Sequence, residues 1–207
     1  MSVRSSTPFR TLTALIACCA LVAAAALATA GPAAPAPKVG KRHLIFGGHI
    51  AVQFDPALLT AYGIVLEPHR SAKPSPTGLR FKIHDGRTTL RYLPVGLIQS
   101  VGTTALVQGA NRLSLHWFDA RFGKKSVLSS RVGVNSGWGP RATLFRLTPS
   151  DAGYTVDGQK ITHTNLPLTL TAVGAAQLNA LFVAPGQPPF AIGQQVGVVS
   201  IKTRWYN

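Results

Sequence analysis

From about residue 43 onward, short runs alternate between apolar and polar side chains, the period-two signature of strands with one buried face. His49-Ile50-Ala51-Val52-Gln53-Phe54 is one such run. Leu79-Arg80-Phe81-Lys82-Ile83-His84 is another, with Leu79, Phe81 and Ile83 on the inward face. Asp85-Gly86 follows it as a hairpin turn, which makes 87–93 the returning partner strand. Further strands are expected at 96–100, 104–108, 112–118, 126–134, 143–147, 154–156 and 160–164. Asp157-Gly158 marks a second hairpin. Residues 64–67 and 166–170 are extended, and 68–78, with three prolines, reads as a loop. A last strand runs over 195–205, alternating through Val196, Val198, Ser200 and Lys202.

Two places switch to the helical period. Asp55 precedes Pro56, an N-cap followed by a proline at the first helical position, and Gly63 suits the exit of that short helix. The second helix is predicted over 172–182, capped by Thr171, with Val173, Ala176, Ala180 and Leu181 at helical spacing. Pro185 and Pro188-Pro189 stop it. The predicted fold is mainly β, an antiparallel β-sandwich or open barrel with two short helices, forming one domain over 43–207.

The first 30 residues have a different character. Arg4 and Arg10 precede an unbroken apolar run from Leu12 to Ala28, and Ala28-Thr29-Ala30 is a small-x-small cleavage site. This reads as a secretory signal peptide, 1–30. A membrane anchor would need a longer or more hydrophobic run than these alanines provide. Leu15-Ile16-Ala17-Cys18 also fits a lipoprotein cleavage pattern, but that cut would leave half the apolar run on the product. Residues 31–42 are a Pro/Ala-rich linker. The expected location is therefore secreted or at the cell envelope, with no transmembrane segment after the leader. The chain ends Trp205-Tyr206-Asn207, without a sorting motif or apolar tail.

Charge narrows the range of partners. Once Arg4 and Arg10 are removed, 19 Lys+Arg face six acids, Asp55, Glu67, Asp85, Asp119, Asp151 and Asp157. Such a surface attracts polyanions, anionic cell-wall polymers among them. Both cysteines, Cys18 and Cys19, lie in the leader, so no disulfide or thiolate chemistry is available to 31–207. No phosphate-binding loop, dinucleotide fingerprint, nucleophile elbow or HExxH helix occurs. The sparse acids make paired-carboxylate catalysis improbable, and an enzymatic role is not expected. His43, His49, His69, His84, His116 and His163 never fall at metal-ligand spacing and read as exposed strand or loop residues. Trp117-Phe118 and Trp205-Tyr206 fit a base-stacking platform less well than a sandwich in which one aromatic of each pair turns inward, so nucleic acid is not expected.

The order of motifs then gains a meaning. Asp55-Pro56-Ala57-Leu58-Leu59 leads to Gly63-Ile64-Val65-Leu66-Glu67-Pro68 and to Gly78-Leu79-Arg80-Phe81-Lys82-Ile83. Near the end stand Leu168-Thr169-Leu170-Thr171-Ala172-Val173-Gly174-Ala175-Ala176-Gln177-Leu178-Asn179 and Phe190-Ala191-Ile192-Gly193-Gln194-Gln195-Val196-Gly197. This resembles the haem-transport-associated domain of actinobacterial secreted and surface proteins, over about residues 44–203. The resemblance implies an exported β-sandwich-like domain and, as cofactor, haem held by a tyrosine that a histidine supports. Here Leu93 stands in that histidine's place, and the first strand carries His43, Phe46 and His49 but no tyrosine. Tyr92, beside Leu93, and His84 are the remaining haem candidates. The alternative is a structural or adhesive envelope module held to anionic wall polymers by its basic surface.

Overall fold

The computed structural model describes residues 42–75, 78–89 and 95–206. The expected leader, nearly all of the expected linker and Tyr92 lie outside the described residues. The strands are β1 (Arg42–Phe54), β2 (Val65–His69), β3 (Lys73–Ser75), β4 (Gly78–Thr89), β5 (Val95–Val101) and β6 (Thr103–Gln108). They continue with β7 (Asn111–Phe122), β8 (Val127–Val134), β9 (Gly137–Leu147), β10 (Tyr154–Asp157), β11 (Lys160–Leu170) and β12 (Gln195–Tyr206). Helix α1 (Pro56–Ala61) follows β1, and α2 (Ala172–Phe182) lies between β11 and β12. The mainly β, antiparallel architecture with two short helices is as the alternation predicts.

Pairing closes on itself. β7 bonds to β5, then β4, β1, β12, β11, β9 and β8 follow in order, and β8 returns to β7. Every step is antiparallel, so eight strands make a barrel circuit whose edges are paired away. β6 and β2 extend the wall beside the first half of β7, while β10 and β3 pair with β11 and β4. Inside lie Ile50, Phe81, Phe118, Leu128, Leu168 and Ile201, all with essentially no exposure.

Helices close one end of this circuit. Asp55 accepts from the Ala57 N–H at 2.9 Å, and Tyr62 stacks on Phe190 at 4.2 Å. Thr171 caps α2 by accepting from Gly174 N–H at 3.1 Å. The helix buries Gly174, Ala175, Leu178 and Phe182, whereas Val173 is exposed. The face differs from the one read off the spacing because Gly174 lets the helix backbone touch β9. A Cβ there would lie 2.2 Å from the Leu144 carbonyl oxygen. Asn179 clamps the chain after the helix, donating to Phe190 O at 3.0 Å and accepting from its N–H at 2.7 Å.

Two expectations are corrected. Asp85-Gly86 is no turn: β4 runs through it, with a bulge between Ile83 and Asp85. Gly86 is glycine because a Cβ would sit 2.8 Å from Leu97 O and 3.1 Å from the Ile45 side chain, a demand of the crowded interior. The proline-rich stretch holds the end of β2 and all of β3. Along β12 the inward face is Val199, Ile201, Thr203 and Trp205, while Val198, Ser200 and Lys202 face away from the core. No helix among the described residues is long and apolar enough to cross a membrane.

Candidate functional site

The end of the barrel opposite the helices is polar inside, and a bulge in β1 creates part of it. Phe46 pairs with Arg204 and Gly48 with Thr203, so Gly47 is one residue too many for β12. Gly47 and Gly48 both have positive φ, and a Cβ on Gly48 would lie 2.0 Å from Lys202 O. The extra residue inverts the alternation: His43 and Ile45 point inward before it, Ile50 and Val52 after it, and His49 turns toward the outer surface. His43 and His49 share a parity in sequence and occupy opposite faces in the fold.

His43 is 6% exposed, its ring edge-on to Trp205 at a 4.2 Å centroid distance. The interior row continues around the circuit, His43 opposite Thr88, Thr88 opposite Gly96 and Gly96 opposite Phe122. Across the interior the Phe122 ring stacks on His163 at 4.7 Å, nearly parallel at 13°. Tyr154 stacks on the same imidazole at 4.9 Å. The β10–β11 hairpin, turning through Gly158, places Tyr154 directly opposite His163.

Electrostatically, His163 is the unusual member. It is 1% exposed, and among the described residues neither ring nitrogen has a hydrogen-bond partner; the Tyr154 hydroxyl and Trp205 Nε1 likewise have none among them. Each such group costs about 1–3 kcal/mol relative to a satisfied one, and native interiors contain few. Burial lowers the His163 pKa to about 4 and raises that of Tyr154. At neutral pH the site therefore presents a neutral imidazole, a protonated phenol and an indole N–H, walled by aromatic rings.

Of the two residues singled out beforehand, His84 sits in the β4 bulge and is exposed, away from this interior. Tyr92 lies outside the described residues; the strand ends on either side of its segment, Thr89 and Val95, pair with each other close to Thr88 and Gly96. The reading of all six histidines as exposed is wrong for His43 and His163, which the β1 bulge and the β11 register turn inward. Tyr154 and His163 were missed as a pair, although the Asp157-Gly158 turn already sets them opposite each other. The described residues hold no group of three or more His, Cys, Asp or Glu side chains placed to bind a bare metal ion.

In sequence, neither a protein-family model nor a curated protein matches the chain. In structure it is similar to the C-terminal domain of HtaA from Corynebacterium glutamicum, with a TM-score of 0.60 at 13% identity, covering 79% of this chain and 99% of that one. It is similar also to the N-terminal domain of HtaA from Corynebacterium glutamicum, at a TM-score of 0.57, 10% identity and the same coverage. The chain has the HtaA-type fold.

Proposed function

We propose that this is an exported, non-catalytic haem-binding domain of the haem-transport-associated type, taking its ligand at the polar end of the barrel through His163. On this reading 1–30 is the leader, 31–42 the linker and 43–207 the binding domain. The observation that carries it is the pair of unpartnered nitrogens on a buried, neutral His163 among stacked aromatic rings, on an HtaA-type fold.

The donor set fits the group. Haem supplies an iron already held by four ring nitrogens, so one protein ligand suffices where a bare ion needs three or four. A histidine can ligate only when neutral, and burial keeps His163 so. Burial also keeps the Tyr154 phenol protonated, so that hydroxyl and the Trp205 indole act as hydrogen-bond donors rather than ligands. His43 and Phe122 supply ring faces. Lys160 and Arg204, cross-strand neighbours exposed at this end, would attract the haem carboxylates. Tyr92, whose segment begins and ends at the same row, is a further candidate contact.

The test is to add hemin to the purified protein, remove the excess on a desalting column and record the absorption spectrum. A stoichiometric Soret band is expected. It should disappear in His163→Phe, weaken in Tyr92→Phe and persist in His84→Ala. A parent protein that leaves the column colourless, or a His163→Phe variant with an unchanged spectrum, would overturn the assignment.

A further inference from the structure

A further bulge lies on the outer wall, in β7. His116 pairs with Arg131 and Asp119 with Ser129, so two residues of β7, Trp117 and Phe118, oppose one of β8. Trp117 takes φ +55, a conformation that a bulky L-residue rarely adopts. It is held there from both sides: its N–H donates to Gly102 O at 3.0 Å and its carbonyl accepts from Arg141 at 3.1 Å. The consequence is positional. Leu115 and Phe118 both face the core, and the two residues between them, His116 and Trp117, both face out.

Around them the surface is aromatic and cationic. Trp117 is 44% exposed and Trp138 50%. The His116 ring lies between them, 4.3 Å from Trp117 and 5.3 Å from Trp138, and Thr103 hydrogen-bonds its Nδ1. Trp138 lies over Gly133, where a Cβ would meet the indole at 3.1 Å. Arg131 and Arg141 are directly opposed across β8 and β9, a like-charge pairing that destabilises a sheet. Asp119 neutralises Arg141 at 2.6 Å. Arg131 donates to Gly139 O and lies 5.8 Å over the Trp138 ring, and among the described side chains no carboxylate is within ion-pair distance of it. Burial, then Arg70, Arg131 and Arg141, lower the His116 pKa, which reports the positive field at this spot.

We propose that this outer face of β7, β8 and β9 binds an anionic polysaccharide, its pyranose rings lying on Trp117 and Trp138 and its carboxylates meeting Arg131. A uronic acid unit offers a flat C–H face beside a carboxylate, the complement of an exposed indole beside an unneutralised guanidinium. A stack of nucleic-acid bases suits the face less well. The His116 ring stands between the two indoles and meets them at 33° and 61°, so successive bases would find no parallel platform among these rings. The strained Trp117 is explained by the same site, because without the bulge His116 and Trp117 would point to opposite faces. The site is on the outside of the wall, separate from the His163 interior, and stands independently of haem binding.

The test is affinity measurement of the purified protein at physiological ionic strength with three probes: polygalacturonate, neutral dextran and oligothymidylate. Polygalacturonate is expected to bind and dextran not to. Trp138→Ala and Arg131→Ala should each weaken binding about tenfold. Trp117→Gly should weaken it equally while melting no lower than the parent, because glycine accepts the positive φ. Hemin binding should be unchanged in all three variants. Preference for oligothymidylate would overturn the proposal. So would no binding to polygalacturonate, or binding that ignores the tryptophan substitutions and responds only to salt.

Discussion

His163 and His116 both lie against aromatic rings and both hold their protons less tightly than a free histidine, yet they reach that state by different physics. His163 is sealed in the barrel, and loss of solvent is the only cause of its shift. His116 is on the outer wall with Thr103 as partner, and part of its shift comes from Arg70, Arg131 and Arg141. The interior site sacrifices stability by withholding hydrogen bonds from buried groups. The outer site does so through backbone conformation, with Trp117 at positive φ, and through two arginines set opposite each other. Burial acts over the whole group and ignores salt; a charge field is local and can be screened.

Breaking the architecture that turns His43 inward should have the largest effect. Gly48→Ala puts a Cβ against the Lys202 carbonyl at a φ of +107, and a loss on the order of 4 kcal/mol is expected in urea unfolding. The outer wall, three strand pairings away in either direction around the circuit, should keep its near-ultraviolet tryptophan signal under native conditions if the variant still folds.

Next comes the acid response. With its pKa at about 4 in the fold and near 6.5 unfolded, His163 binds more protons in the unfolded chain between those values. Stability therefore rises with pH through that window, is fully present above it, and falls by roughly 3 kcal/mol as pH drops to 4. His163→Phe should remove most of that slope and raise stability at low pH. An unchanged slope, measured by urea unfolding at pH 7 and pH 4.5, would mean that the imidazole is not sealed.

A smaller effect is expected at the outer wall. Asp119→Asn leaves Arg141 opposite Arg131 without its counter-charge and should cost about 1 kcal/mol, less in high salt. The smallest effect sharpens the comparison directly. Followed by NMR titration, added salt should move the His116 pKa upward as the arginines are screened, and leave that of His163 in place. Equal responses would dissolve the distinction.

Parts of both regions were legible in the sequence. The Asp157-Gly158 turn implies the register that sets Tyr154 opposite His163, and the Asp55-Pro56 and Thr171 caps place both helices. The rule that one aromatic of an adjacent pair turns inward holds at Trp117-Phe118 and Trp205-Tyr206, but with the bulge deciding which. Asp85-Gly86 misled because a glycine demanded by interior crowding has the same spelling as a glycine demanded by a turn.

By itself, the alternation of side chains determined that this chain would be built from antiparallel strands with two short capped helices, because period and cap chemistry are local properties. Which face a strand buries beyond a bulge was decided only in three dimensions. Bulges at Gly47-Gly48, His84 and Trp117 each invert the alternation, and an inversion depends on how many residues the neighbouring strand presents, a quantity no single segment contains. The closing of the circuit from β7 through β1 back to β8 is of the same kind. It buries His163 on the same face as Ile161 and leaves His116, at the opposite parity to Leu113 and Leu115, half-buried on the outer wall.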